Sequence, residues 1–205
     1  MKGRYPTPAT VHRVEETRER SRFVTTLGRA ATVEEAREFI AGVSEEFRDA
    51  THNCWAYVVG PPGDTSRVGM TDDGEPHSTA GRPMLNVLLG SGVGDVAAVV
   101  TRYYGGTKLG KGGLVRAYGG GVKLALEGLP LVEFVETVEM RAVVPYNAVT
   151  QLKNALPAFE AEVLDETYAT DATFHLRLPA ERAGAFAEAL AGITNGRASV
   201  EPWKA

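Results

Sequence analysis

The chain has one cysteine, Cys54, which excludes an intramolecular disulfide and suits a reducing compartment. It has no apolar run approaching the ~18 residues of a membrane helix, so no membrane role is expected. Residues 1–20 lack the apolar core of a signal peptide. These absences together lead to an expected cytoplasmic location. Internal repeats and low-complexity segments are also missing. So is a strong charge of either sign: the net charge is −4 over 205 residues, and bulk electrostatics do not advertise nucleic acid.

What is present is ordinary in bulk and uneven in detail. A hydrophobic content of 43% and a charged content of 23% fit a globular protein of one large or two small domains. Residues 1–135 hold 16 Lys/Arg and 16 Asp/Glu, whereas residues 136–205 hold 6 and 10 and supply the whole net charge. Between positions 77 and 123 lie Arg82, Arg102, Lys108, Lys111, Arg116 and Lys123, with Asp95 as the only acid. This spacing predicts a basic patch on a neutral domain. The competing reading is a set of solvated loops and helix faces.

Periodicity and breakers predict the elements. Residues 10–16 and 20–29 read as extended. Thr32 and Glu35 form a capping box that opens a helix to about residue 47, with Ala36, Phe39, Ile40, Val43 and Phe47 on its apolar face. Residues 53–60 and 65–70 read as a hairpin across a Pro-Pro-Gly-Asp turn. A loop over 72–78 precedes a helix over 80–89, in which Pro83 is tolerable because it sits in the first turn. Residues 95–103 carry a buried-strand run. Residues 104–113 read as a loop and 114–127 as a helix. Gly119-Gly120-Gly121 inside that helix costs about 1 kcal/mol per glycine against alanine, which points to close backbone packing on a sheet. After Gly128-Leu129-Pro130 the order is β (138–144), α (146–156), β (160–168), β (173–178), α (179–193), β (199–203). That βαββαβ order is the ferredoxin-like pattern.

Three constellations could carry chemistry. Gly105-Gly106-Thr107-Lys108-Leu109-Gly110-Lys111-Gly112 has the spacing of a phosphate-binding loop between a strand and a helix, but Gly112 stands where a magnesium-ligating hydroxyl belongs. Backbone N–H groups at such a helix start still suit an anion, and Lys108, Lys111 and Arg116 add charge. The bland alternative is a tight turn that needs glycine for backbone reasons. Asp72-Asp73-Gly74-Glu75 is an acidic turn that would pair with the basic loop, hold a hard cation, or use Asp72 or Asp73 to cap a turn. His52 and Cys54 share one strand face, although a single cysteine makes zinc a poor reading, and a buried cysteine beside a hydrogen-bonded histidine is the default. Trp55 and Tyr57 on the opposite face read as core. Tyr103 and Tyr104 are the better candidates to stack a base.

Several ordered motifs carry a family resemblance: Ser21-Arg22-Phe23, Asp49-Ala50-Thr51-His52-Asn53-Cys54, Asp72-Asp73-Gly74-Glu75-Pro76, Thr79-Ala80-Gly81, the run from Thr101 to Gly110, and the run from Gly112 to Tyr118. Together they closely resemble the IMPACT family, in particular its bacterial YigZ-type members, over residues 10–129. The tail resembles the extra C-terminal domain of those members. The resemblance implies an α+β chain of two domains, residues 1–133 and 134–205. The first is expected to resemble the second domain of a small-subunit ribosomal protein. The second, ferredoxin-like, is expected to resemble the last domain of elongation factor G. Eukaryotic relatives are linked to translational control through a protein partner, but they lack this C-terminal domain and that partner does not transfer. Two departures stand out. Ser78 replaces a glycine of the family pattern, and Lys111 replaces a small residue, which makes the phosphate-loop spacing accidental.

The expected function is a non-enzymatic, translation-associated or regulatory protein that binds RNA or a ribosomal surface. The alternative is an enzyme acting on a small phosphorylated or nucleotide ligand in the same cleft. Arg102, Lys108, Lys111 and Arg116 are expected to contact phosphate. Gly105, Gly106, Gly110, Gly112 and Gly113 are expected to let backbone N–H groups approach it. Asp72, Asp73 and Glu75 are expected to orient the bases or hold a cation. No cofactor or dedicated metal is expected, and the acidic C-terminal domain is expected to contact protein.

Overall fold

The computed structural model describes residues 3–204. The chain divides into two compact units, the first ending at Phe134 and the second beginning at Val135.

The first unit is built on a five-stranded antiparallel sheet. Its strands are β2 (His12–Arg18), β3 (Ser21–Arg29), β4 (His52–Val58), β5 (Val68–Thr71) and β6 (Val96–Tyr103), in the order β2-β3-β6-β4-β5. Helices cover both faces, so central β6 has no solvent side. Val96, Ala98 and Val100 join one core with α2 (Gly81–Gly90) and α3 (Gly110–Glu127). Ala97 and Val99 join another with α1 (Val33–Glu46). Burial on both faces is why β6 reads as a continuous apolar run. Thr32 caps α1 by accepting from the Glu35 N–H at 3.0 Å, and the Glu35 carboxylate reaches back to the Ala31 N–H at 2.8 Å. The capping box thus forms, with its return bond one residue outside the cap.

Two differences from the expected elements concern the functional region and its frame. First, α3 begins at Gly110, so Gly110, Lys111, Gly112 and Gly113 form its first turn and not the end of a loop. Local propensity argues against this start. Burial of Leu114, Ala117 and Tyr118 one turn later decides it. Second, β1 (Arg4–Pro8) pairs with β7 (Leu131–Val135) in a two-stranded ribbon that the sequence hides. Pro6 and Pro8 depress any strand reading there, but a two-stranded ribbon always leaves one edge free to take proline. The ribbon's Tyr5 anchors it by donating to Asp95 at 2.8 Å. Of the three interior glycines of α3, Gly121 meets the sheet, because a Cβ there would lie 2.6 Å from the Thr25 hydroxyl. Gly119 instead faces Pro83 and Val87 of α2.

The second unit runs β8 (Thr137–Val144), α4 (Val149–Ala155), β9 (Glu162–Tyr168), β10 (Ala172–Pro179), α5 (Ala183–Thr194) and β11 (Ser199–Pro202). The antiparallel sheet has the order β11-β8-β10-β9, so the expected βαββαβ pattern forms. Alternate residues of β10, Phe174, Leu176 and Leu178, enter a core with Leu152, Phe186 and Leu190. No helix among the described residues is long and apolar enough to cross a membrane.

Candidate functional site

The acidic turn follows β5, and its three carboxylates go to three different places. Asp72 caps α2. Its Oδ1 accepts from the N–H groups of Ala80 (3.0 Å) and Gly81 (2.9 Å), and its Oδ2 accepts from Ser78 (2.7 Å). Burial works to raise the Asp72 pKa, but the three N–H donors outweigh it and hold the carboxyl below its ordinary value. Asp73 accepts from the Asn53 backbone N–H at 2.6 Å. Only Glu75 turns toward a base. Of the three carboxylates expected to orient the bases or hold a cation, Glu75 meets Arg102, whereas Asp72 and Asp73 accept from backbone N–H groups. The Asp72 and Asp73 oxygens are committed to separate backbone groups, and no group of three His, Cys, Asp or Glu among the described residues could hold a metal ion.

The backbone carbonyls of the same turn receive the His52 and Cys54 side chains. His52 Nδ1 lies 2.6 Å from the Asp73 oxygen, and the Cys54 thiol donates to the Asp72 oxygen at 3.0 Å. The shared strand face was legible, and its role here is to staple the turn onto β4. Burial pushes the Cys54 thiol up to about 12, which suits a neutral donor and not a nucleophile. Ser78, in the same turn, has φ +60°.

Glu75 and Arg102 form a buried ion pair. They are 8% and 5% exposed, and Arg102 Nη1 donates to Glu75 Oε1 at 2.6 Å. The Tyr118 hydroxyl donates to the same oxygen at 2.6 Å. Burial, then neighbouring Cys54 and Glu75, drive the Tyr118 pKa far upward, so it stays a donor. Arg102 Nη2 donates to the Ser21 hydroxyl at 3.3 Å, and that oxygen also accepts from the Gly105 N–H at 3.2 Å. The guanidinium lies 5.5 Å from the Phe23 ring centroid and 5.4 Å from that of Tyr104. Arg102 Nε is buried without a partner. Strand alternation sends Arg102 inward and Tyr103 outward, where Tyr103 donates to Asp49 at 2.8 Å.

This pair sits at one wall of an open pocket of about 480 Å³. Tyr104, 46% exposed, lines it with Pro76, Leu109 and Leu114, while Lys108, Gly110 and Lys111 bring the start of α3 to its rim. Among the described residues neither lysine has an ion-pair partner. The start of α3 carries no acidic residue, and Leu109 provides no side-chain cap. Free N–H groups, the positive end of the helix and two unpaired cations therefore share one pocket.

The remaining expected residues separate from this group. Arg116 and Gly113 line a smaller depression of about 320 Å³ with Arg18 and Glu19, and Leu109 is the wall common to both. Gly112 is exposed and lines neither. Gly105 is required for a close approach, since a Cβ there would collide with the Arg20 carbonyl. Gly106 supplies a φ of +85°. The expected single cluster is thus split by the turn of α3 between Lys111 and Arg116. Helical periodicity puts Tyr118 on the apolar face of α3, but that its hydroxyl and that of Ser21 meet the ion pair follows only from tertiary packing.

Comparisons with known proteins cover both units. Residues 19–126 match the Impact N-terminal domain, and residues 143–197 match a domain of unknown function, DUF1949. The chain is 41% identical to the IMPACT family member YigZ of Escherichia coli (strain K12), over 92% of this chain and 93% of that one. It is 37% identical to an IMPACT family member of Haemophilus influenzae over 96% of each chain. It is 38% identical to the IMPACT family member YvyE of Bacillus subtilis (strain 168), over 89% of this chain and 83% of that one. A crystal structure of a hypothetical protein superposes with a TM-score of 0.71 at 38% identity, covering 100% of this chain and 99% of that one.

Proposed function

The chain belongs to the IMPACT family, and from that premise we propose that it is a non-enzymatic, translation-associated protein that binds RNA, free or on a ribosomal surface. The observation that carries this reading is the pocket at the start of α3. Lys108 and Lys111 are without an ion-pair partner among the described residues, and of the unit's cations without such a partner they are the two that line this pocket. Unpaired cations beside free helix N–H groups suit phosphate. Arg102 takes a different role from the one expected of it. Its charge is neutralised by Glu75, so it supports the site and does not donate to phosphate. Arg116, across Leu109, extends the cationic surface.

The finer fold comparisons belong to the same reading. The first unit resembles the second domain of a small-subunit ribosomal protein and the second the last domain of elongation factor G, both by fold analogy. We place the division into an IMPACT-type domain and a ferredoxin-like domain at residues 133 and 134. The second domain's excess of acid fits a protein contact better than a phosphate contact, and the expected location is cytoplasmic.

The test is RNA affinity of the full chain by fluorescence anisotropy across a salt series. Affinity should fall steeply with salt, and Lys108→Ala with Lys111→Ala should lower the log–log slope by roughly 1.4, about 0.7 per lost phosphate contact on a single strand. Absence of RNA binding even at low salt, with a nucleotide bound and turned over instead, would reverse the reading in favour of the enzyme.

A further inference from the structure

We infer that the pocket is a subsite for one unpaired nucleotide, its base stacked on Tyr104 and its phosphate at the start of α3, so that the RNA bound is single-stranded. The inference rests on the RNA-binding reading above and adds which form of RNA the site accepts.

The pocket has two chemistries. Its rim is cationic through Lys108 and Lys111, and its walls are largely apolar through Pro76, Tyr104, Leu109 and Leu114. A site for phosphate alone has no use for such walls. A nucleotide presents both a charged group and a flat apolar face. The volume of about 480 Å³ lies within the usual range for small ligands and cofactors. The depth of a pocket also discriminates between RNA forms. Base-paired A-form RNA presents backbone and 2′-hydroxyls along a shallow groove, and its bases are already stacked on one another. Only an unpaired base can turn its face into a cavity.

Tyr104 is built as a platform and not as a core residue. Tyr104 is 46% exposed, and the Arg102 guanidinium lies over its ring, 5.4 Å from the centroid. That guanidinium is immobilised by Glu75, by Ser21 and by the Phe23 ring. The Tyr104 backbone is held as well, its N–H donating to the Thr51 hydroxyl at 3.0 Å. A ring fixed before binding loses little entropy when a base stacks on it. Arg102 also lines the pocket at 5% exposure, and among the described residues its Nε has no hydrogen-bond partner. Buried guanidinium nitrogens are seldom left so.

The experiment uses the full chain and an RNA of about 12 nucleotides, a length within the usual single-strand site sizes, either single-stranded or annealed to its complement, at low salt. Tyr104→Leu removes the aromatic face from an exposed position, and Tyr104→Phe retains it. Single-stranded RNA is expected to bind more tightly than the duplex. Tyr104→Leu is expected to weaken the single strand by about 5-fold or more, with Tyr104→Phe close to wild type and duplex binding unchanged. Unaltered melting of each variant separates a lost platform from a lost fold. If Tyr104→Leu binds the single strand as wild type does, or the duplex binds equally well, the single-nucleotide subsite is wrong while RNA binding through the lysines stands. If neither RNA form binds and the lysine variant changes nothing, the underlying reading fails and takes the inference with it.

Discussion

Removing the Glu75 carboxylate should be among the most damaging substitutions in the first unit, even though the ion pair it belongs to adds little net stability. Glu75→Ala leaves the Arg102 guanidinium in a site where it is 5% exposed, with Ser21 its one remaining hydrogen-bond partner. Breaking a buried pair by deleting one member costs about 3–5 kcal/mol. The same substitution takes the Glu75 acceptor from the buried Tyr118 hydroxyl, which adds about 1–3 kcal/mol. The sum, about 4–8 kcal/mol, corresponds to a fall in melting temperature of roughly 15–30 °C for a unit of this size. Glu75→Gln keeps an acceptor for both donors and should lose about half as much. The decisive variant is the triple substitution Glu75→Leu, Arg102→Met and Tyr118→Phe. It removes both charges and the tyrosine hydroxyl together, leaves Ser21 its bond from the Gly105 N–H, and should recover to within about 2 kcal/mol of wild type, because desolvation of the charges offsets most of their attraction. Urea unfolding followed by tryptophan fluorescence reads this out. Trp55 belongs to the first unit and Trp203 to the second, so a Trp203→Phe background isolates the unit concerned. A loss below about 1 kcal/mol for Glu75→Ala, or a triple variant no better than the single one, would show that the pair is solvated in solution and would refute the reasoning.

Two further predictions concern the backbone around the site. Asp72→Ala removes the acceptor of three N–H groups and should cost about 2–3 kcal/mol at pH 7. Because the folded Asp72 carboxyl titrates below its ordinary value, its contribution is complete above the unfolded carboxylate range and is lost as pH falls through the folded pKa. The gap between wild type and Asp72→Asn in urea titrations should therefore close in acid, and a gap independent of pH would exclude the capping role. Gly105→Ala and Ser78→Gly should act in opposite directions in thermal melts. The first forces a methyl group onto the Arg20 carbonyl and should destabilise by about 3 kcal/mol or more. The second relieves a left-handed serine and should stabilise by up to about 1 kcal/mol; a destabilised Ser78→Gly would mean that the serine is held there by contacts worth more than the strain.

Much of the first unit could be read along the chain because its signals are local. Thr32 and Glu35 announce a helix start by spacing alone, and the run from Val96 to Val100 announces a strand buried on both faces. The βαββαβ order of the second unit follows from alternation and helical periodicity, with Phe174, Leu176 and Leu178 facing inward as period two requires. The site was legible as a neighbourhood and not as an arrangement. Charge and glycine density pointed to the loop before α3, yet the same density grouped Arg102 with Lys108 as equivalent phosphate donors. Burial separates them: one is neutralised inside the fold, and the other is free at a rim.

The chain by itself determined its family, its two-unit organisation and the polypeptide segment that holds the pocket, because motifs, caps and hydrophobic periods are properties of neighbours in sequence. Tertiary structure decided which charges are paired. Glu75, Arg102, Tyr118 and Ser21 come from four separate elements or loops, and the cost of burying a charge forced each to find its partner across the fold. Lys108 and Lys111 have no ion-pair partner among the described residues and line the same pocket, where a ligand could meet them.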